Sequence, residues 1–203
     1  MKKTISLLLA LSILLMLLSS CSVPVPEEKP STGPSVYEVL EILANKDYSV
    51  VKIDVVTETS FAELSASYTL KKGSVTYSVE QLNELSASES TSALPSDYKT
   101  TVTGSAKIEN GKVVSLDGAG ITLPSYDELK GSFHFAEENF KNVVEGENTF
   151  SADVVSPSAF YGATVNVIDL KVSVAYSESA LTEIVISYRT VGAKVETVYT
   201  FDS

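Results

Sequence analysis

From Ser35 onward the apolar positions first recur with a helical period. In "SVYEVLEILANKD", Val36, Val39, Leu40 and Leu43 fall at i, i+3, i+4 and i+7, which is one stripe of a helix. Ser35 follows Pro34 and has Glu38 three residues on, the spacing of a capping box. The period then changes to two. Val51, Ile53 and Val55 alternate with Lys52, Asp54 and Val56. Leu64, Ala66, Tyr68 and Leu70 alternate with Ser and Thr, and Val75, Tyr77 and Val79 continue after a turn at Lys72-Gly73. Alternation with Val, Ile and Tyr predicts half-buried strands. The intervals between them are too short for a crossover helix, so neighbours pair antiparallel.

Residues 86–96, "SASESTSALPS", are small and polar and read as a surface loop; the strands on either side are too few for two separate cores. In "KIENGKVV", Asn110-Gly111 is the favoured type I′ pair and places Glu109 opposite Lys112 in a hairpin.

The second half repeats the order. Ser125 and Glu128 after Pro124 give another capping box, and Leu129, Phe133, Ala136, Phe140 and Val143 carry helical spacing beyond it. Gly131 weakens that helix, and "SFHF" also reads as a strand. Strands return in "TFSADVV", "TVNVIDLKVSVAY", "TEIVISY" and "KVETVYTF". In the longest of these the apolar phase slips at Val167-Ile168, which predicts a β-bulge that bends the strand. The expected fold class is α+β and mainly antiparallel β: a curved sheet or half-barrel with two covering helices, in which a helix followed by a meander occurs twice. Residues 35–203 form one domain.

The amino-terminal segment changes the picture. Lys2 and Lys3 precede an apolar run from Ile5 to Leu18, with Ser19 and Ser20 before Cys21. That is the three-part order of a secretory leader, and the run is short of the ~20 residues that span a bilayer. An uncleaved membrane helix with an incidental cysteine is the alternative. Leu18-Ser19-Ser20-Cys21 resembles the lipobox of bacterial lipoproteins. The resemblance implies cleavage between Ser20 and Cys21, removal of residues 1–20, and lipid on the Cys21 thiol. Cys21 is the only cysteine of the 203 residues, so no disulfide is available to the chain. Residues 21–34, with Pro24, Pro26, Pro30 and Pro34, read as a lipidated cysteine and a semi-rigid tether. The expected location is the cell envelope, lipid-anchored on the extracytoplasmic face of a bacterial membrane.

Charge bears on partners. The chain carries −11, and losing Lys2 and Lys3 with the leader makes it −13. Nucleic-acid binding needs a basic footprint, so nucleic acid is not an expected partner. At the level of element order the chain also resembles the LolA-like lipoprotein carriers. In that class a curved antiparallel sheet wraps a helix and holds acyl chains in an apolar pocket. No residue motif carries this resemblance, and no binding residue transfers from it.

Little in the sequence suggests catalysis. His134 is the single histidine, and a buried or stacked position beside Phe133 and Phe135 is expected. No second His or Cys completes a common zinc site, so no metal ligand, cofactor or catalytic residue is assigned. "DGAGI", around Gly118 and Gly120, lacks the lysine and spacing of a phosphate loop. Glu137-Glu138 and Glu145-Gly146-Glu147 read as solvated surface. Tyr68, Tyr77, Tyr176, Tyr188 and Tyr199 all fall in predicted strands, either as ordinary half-buried residues or as the lining of a pocket. The expected function is a non-catalytic binding module for an apolar ligand or an envelope protein. The alternative is a glycan-directed envelope hydrolase, whose carboxylate pair would converge only in three dimensions.

Overall fold

A computed structural model describes residues 33–82, 99–110, 112–117, 121 and 123–202. The leader with Ser20 and Cys21, most of the tether, the 86–96 segment, Gly111, Gly118 and Gly120 lie outside the described residues.

Helix α1 spans Val36–Ala44 and starts on the expected capping box. Ser35 Oγ accepts from the Glu38 N–H at 3.3 Å, and Glu38 Oε2 accepts from the Ser35 N–H at 2.9 Å. Leu40 and Leu43 of its apolar stripe are buried. Five strands follow: β1 (Val50–Thr59), β2 (Glu63–Lys71), β3 (Ser74–Leu82), β4 (Lys99–Glu109) and β5 (Lys112–Asp117). Then come α2 (Tyr126–Lys130), a 3₁₀ turn (Glu137–Asn139), β6 (Phe140–Gly146), β7 (Thr149–Val154), α3 (Pro157–Tyr161), β8 (Ile168–Tyr176), β9 (Leu181–Thr190) and β10 (Ala193–Asp202).

All ten strands form one antiparallel sheet in the order β5-β4-β3-β2-β1-β10-β9-β8-β7-β6. The first strand of the chain pairs with the last, from Val50↔Asp202 to Thr59↔Ala193, and so joins the two meanders. The sheet is open, with β5 and β6 at its edges. Strand alternation puts one apolar row behind another on the core face. One row runs Tyr77, Tyr68, Ile53, Tyr199, Ile184, Val174, Phe150 across β3 to β7. Leu40 and Leu43 of α1 belong to the same core cluster. Tyr48 fastens the helix end to the sheet. Its hydroxyl donates to Leu43 O at 2.9 Å and accepts from the Leu181 N–H at 2.8 Å.

The hairpin at Asn110-Gly111 has the expected register, Glu109↔Lys112, with Asn110 at φ 54°. Three other expectations are corrected. The second helix stops at Lys130, because Gly131 takes φ 72°, and residues 131–136 belong to neither helix nor sheet. Phe140 and Val143 lie in β6, not on a helix. The bulge predicted at Val167-Ile168 lies further on: β8 begins only at Ile168, and its pairing with β9 slips between Ile168 and Lys171, where Asp169 takes φ 54° and pairs with Arg189. The described residues also hold three short helices and a 3₁₀ turn, where two helices were expected.

Candidate functional site

A second in-register row on the core face changes character along its length. It runs Val102, Val79, Ala66, Val55 on β4 to β1, then Thr197, Ile186, Val172, Ala152 on β10 to β7. The four residues on β10 to β7 are buried, whereas the four on β1 to β4 are only half-buried, as is Leu64 beside them. Both halves are the same strand pattern, so the difference comes from what lies on top.

The covered half is roofed by aromatics from the irregular segment 131–136 and from α3. Phe133 and Phe160 lie 5.7 Å apart between ring centroids, Phe135 and Phe160 5.7 Å, and Phe133 meets Tyr199 edge-on at 5.1 Å. Period-two alternation in Phe133-His134-Phe135 turns both phenyl rings inward and the histidine outward. Glu41 of α1 fixes this segment: its Oε2 accepts the Phe135 N–H at 2.6 Å, and its Oε1 lies 3.3 Å from His134 Nδ1. His134 is thus half-exposed and held by Glu41 and Ser132, not stacked in the core as the sequence suggested.

At the border between the covered and uncovered halves stand four tyrosines: Tyr68 on β2, Tyr161 on α3, Tyr188 on β9 and Tyr199 on β10. Burial pushes the phenol pKa up in all four. Tyr199 rises to about 12, first through burial and then through Tyr188. Tyr161 rises further, through burial and then through Tyr199 and Tyr188. The four therefore stay neutral and keep their protons. Their hydroxyls find no hydrogen-bond acceptor among the described residues. No sealed side-chain N or O among those residues lacks a partner. Chemically the arrangement offers a wide hydrocarbon surface with neutral donors at its rim.

Two other expected tyrosines play other parts. Tyr77 donates to the Asp117 carbonyl at 2.6 Å across Gly104, and Tyr176 is half-buried at the end of β8. Glu137, Glu138, Glu145 and Glu147 are exposed, in keeping with solvated surface. Among the described residues no three His, Cys, Asp or Glu side chains are grouped to hold a metal. One surface cleft, of about 510 Å³, brings Asp153 and Asp169 together with Lys141 and Lys171. Each carboxylate there has a cation: Lys171 lies 3.8 Å from Asp153, and Arg189 pairs with Asp169. Asn142 also donates to Asp153 at 2.7 Å.

The half-buried strip was not legible in advance, because its alternation matches that of the buried rows. The four tyrosines were named from the sequence except Tyr161, which sits in "SAFYG" with no strand pattern to mark it. No family model matches the chain, and no curated protein matches it.

Proposed function

We propose that the chain is a lipid-anchored bacterial envelope protein whose domain holds an apolar ligand against the half-buried strip on β1 to β4. The observation that carries the binding part is the in-register strip Val55, Ala66, Val79 and Val102, half-buried beside neutral tyrosine donors. An apolar row left half-open across four strands forfeits burial worth about 25 cal/mol for each Å² that stays wet, and a ligand recovers it. The tyrosine hydroxyls suit an amphiphile whose head group brings neutral acceptor oxygens. The net charge of −13 after leader removal disfavours polyanions.

The anchoring part rests on the ordered leader and on Leu18-Ser19-Ser20-Cys21. Two or more acyl chains on Cys21 give stable membrane attachment, and residues 22–34 hold the acidic domain off the surface. Within this reading the open ten-stranded sheet is a half-barrel of the LolA-like kind, with helix-plus-meander halves. Matching capping boxes at Ser35/Glu38 and Ser125/Glu128 support the parallel between the halves.

Two measurements test the proposal. Cys21→Ser should leave the leader attached and the chain unlipidated; an unchanged mature mass and membrane fraction would remove the anchor. Native mass spectrometry of the wild-type chain should show a bound amphiphile. Val79→Lys should lose it while keeping the wild-type circular dichroism; equal ligand occupancy in that variant would remove the strip as the site.

A further inference from the structure

We propose that β5 joins two copies of this chain edge to edge through a two-fold antiparallel contact. β5 is a terminal strand of an open sheet, so among the described residues its outer backbone groups have no strand partner. Its side chains are exposed throughout, with Val113, Val114 and Leu116 at 39%, 52% and 40%. Both edges carry a register slip, but on β6 it comes with Asn142 at φ 53° in mid-strand and leaves Asn142 and Val143 outside the pairing. β5 keeps three exposed apolar residues in six.

The sequence of β5, Lys112-Val-Val-Ser-Leu-Asp117, is complementary to itself when reversed. A two-fold axis between Val114 and Ser115 sets Lys112 against Asp117 of the second copy and Val113 against its Leu116. The faces agree as well. Val113 pairs with Ile108 and Leu116 with Ala106, both on the core side. Lys112 and Asp117 pair with Glu109 and Ser105 on the outer side. The slip beside Lys107 and Ile108 makes Val114 the extra residue, and this puts Val113 and Leu116 on one face. Such a contact would continue the apolar core of one copy into the next and close two ion pairs on the outside. Neither Lys112 nor Asp117 has an ion-pair partner among the described residues. The fit is isologous, so it ends at a dimer and does not propagate. Long-range repulsion between two acidic chains opposes it, but salt at about 0.15 M screens charge beyond roughly 8 Å.

The test is cysteine cross-linking of the full chain in intact cells, which does not depend on where the chain resides or on what the strip binds. Lys112→Cys combined with Asp117→Cys should give a covalent dimer on mild oxidation. Each single variant, and the wild type with Cys21 alone, should give none. Co-expressing the two single variants should restore the product. Adding Leu116→Lys to the double-cysteine chain should return it to the single-variant background. No dimer from the double variant, equal dimer from either single variant, or a dimer that survives Leu116→Lys would each overturn the proposal. All three positions are exposed, so misfolding does not confound the result.

Discussion

At the scale of single residues, three positions hold more than their neighbourhood suggests. Gly104 lies on β4 in register with Tyr77, and its missing Cβ lets the Tyr77 ring cross to the Asp117 carbonyl on β5. A methyl there meets that carbonyl and the Tyr77 hydroxyl, neither of which yields without moving a strand or a ring. Gly104→Ala should cost about 1–3 kcal/mol, the range of overpacked sites, read as a lower denaturant midpoint. Glu41 is the second. Losing its charged acceptor leaves the Phe135 N–H unsatisfied under the aromatic roof. Glu41→Ala should lower stability by about 1–2 kcal/mol, and Glu41→Gln, which keeps one acceptor, by less. Tyr199 is the third. Its phenol pKa is raised from 10.0 to about 12 in the fold, so the folded state holds a proton that the unfolded chain releases. Its contribution is intact below pH 10 and is lost as pH rises from 10 to about 12. Wild type should unfold through this window with late tyrosinate absorbance, and Tyr199→Phe should unfold at higher pH.

At the scale of elements, caps and turns were readable because their chemistry is local. Ser35 closes the capping box of α1 with both hydrogen bonds formed. Ser35→Ala should cost about 1 kcal/mol, measured by thermal melting. Glu80 of β3 bridges its two neighbouring strands. It accepts from the Ser65 hydroxyl and N–H on β2, both at 2.8 Å, and pairs with Lys99 on β4 at 3.5 Å. Hydrogen bonds from Ser65 first, then Lys99, hold its carboxyl below the ordinary glutamate value. A lowered folded-state pKa means that its support is present at neutral pH and fades as pH falls through that value. Glu80→Gln should therefore flatten the acid limb of the stability profile, and an unchanged limb would count against the bridge. The longer second helix failed for an equally local reason. Gly131 turned left-handed, and the period-two signal of Phe133-His134-Phe135 prevailed over the wider helical spacing.

At the scale of the whole molecule, the joining of β1 to β10 decides the outcome. It makes one sheet of two meanders and leaves β5 and β6 as edges. It also sets the buried and half-buried halves of the Val102-to-Ala152 row side by side, with Tyr68, Tyr188 and Tyr199 near the seam. The roof of Phe133, Phe135 and Phe160 covers one half only. If the proposed ligand lies on the strip, enlarging the strip's polarity should change its binding without changing the melting point much. Val79→Lys exposes its ammonium to solvent at a half-buried site, whereas Ile186→Lys, in the buried half of the same row, should prevent folding. Comparable destabilisation in both would contradict the uncovered half.

The sequence by itself determined the mainly antiparallel β class, the first helix with its cap and the Asn110-Gly111 hairpin, but missed β6 and the third helix. Hydrophobic period, capping boxes, Asn110-Gly111 and strand alternation each act within a few residues, so they need no knowledge of the rest of the chain. It also determined the acidic charge and the single cysteine. Only the tertiary structure decided which strands became neighbours across the β1–β10 seam, where β8 slips, and that residues 131–136 became a roof instead of a helix. It alone decided which half of an apolar row would stay partly open. Those outcomes depend on side chains far apart in sequence competing for one core face. Alternating Val, Ile and Tyr look the same whether a Phe from elsewhere settles on them or not.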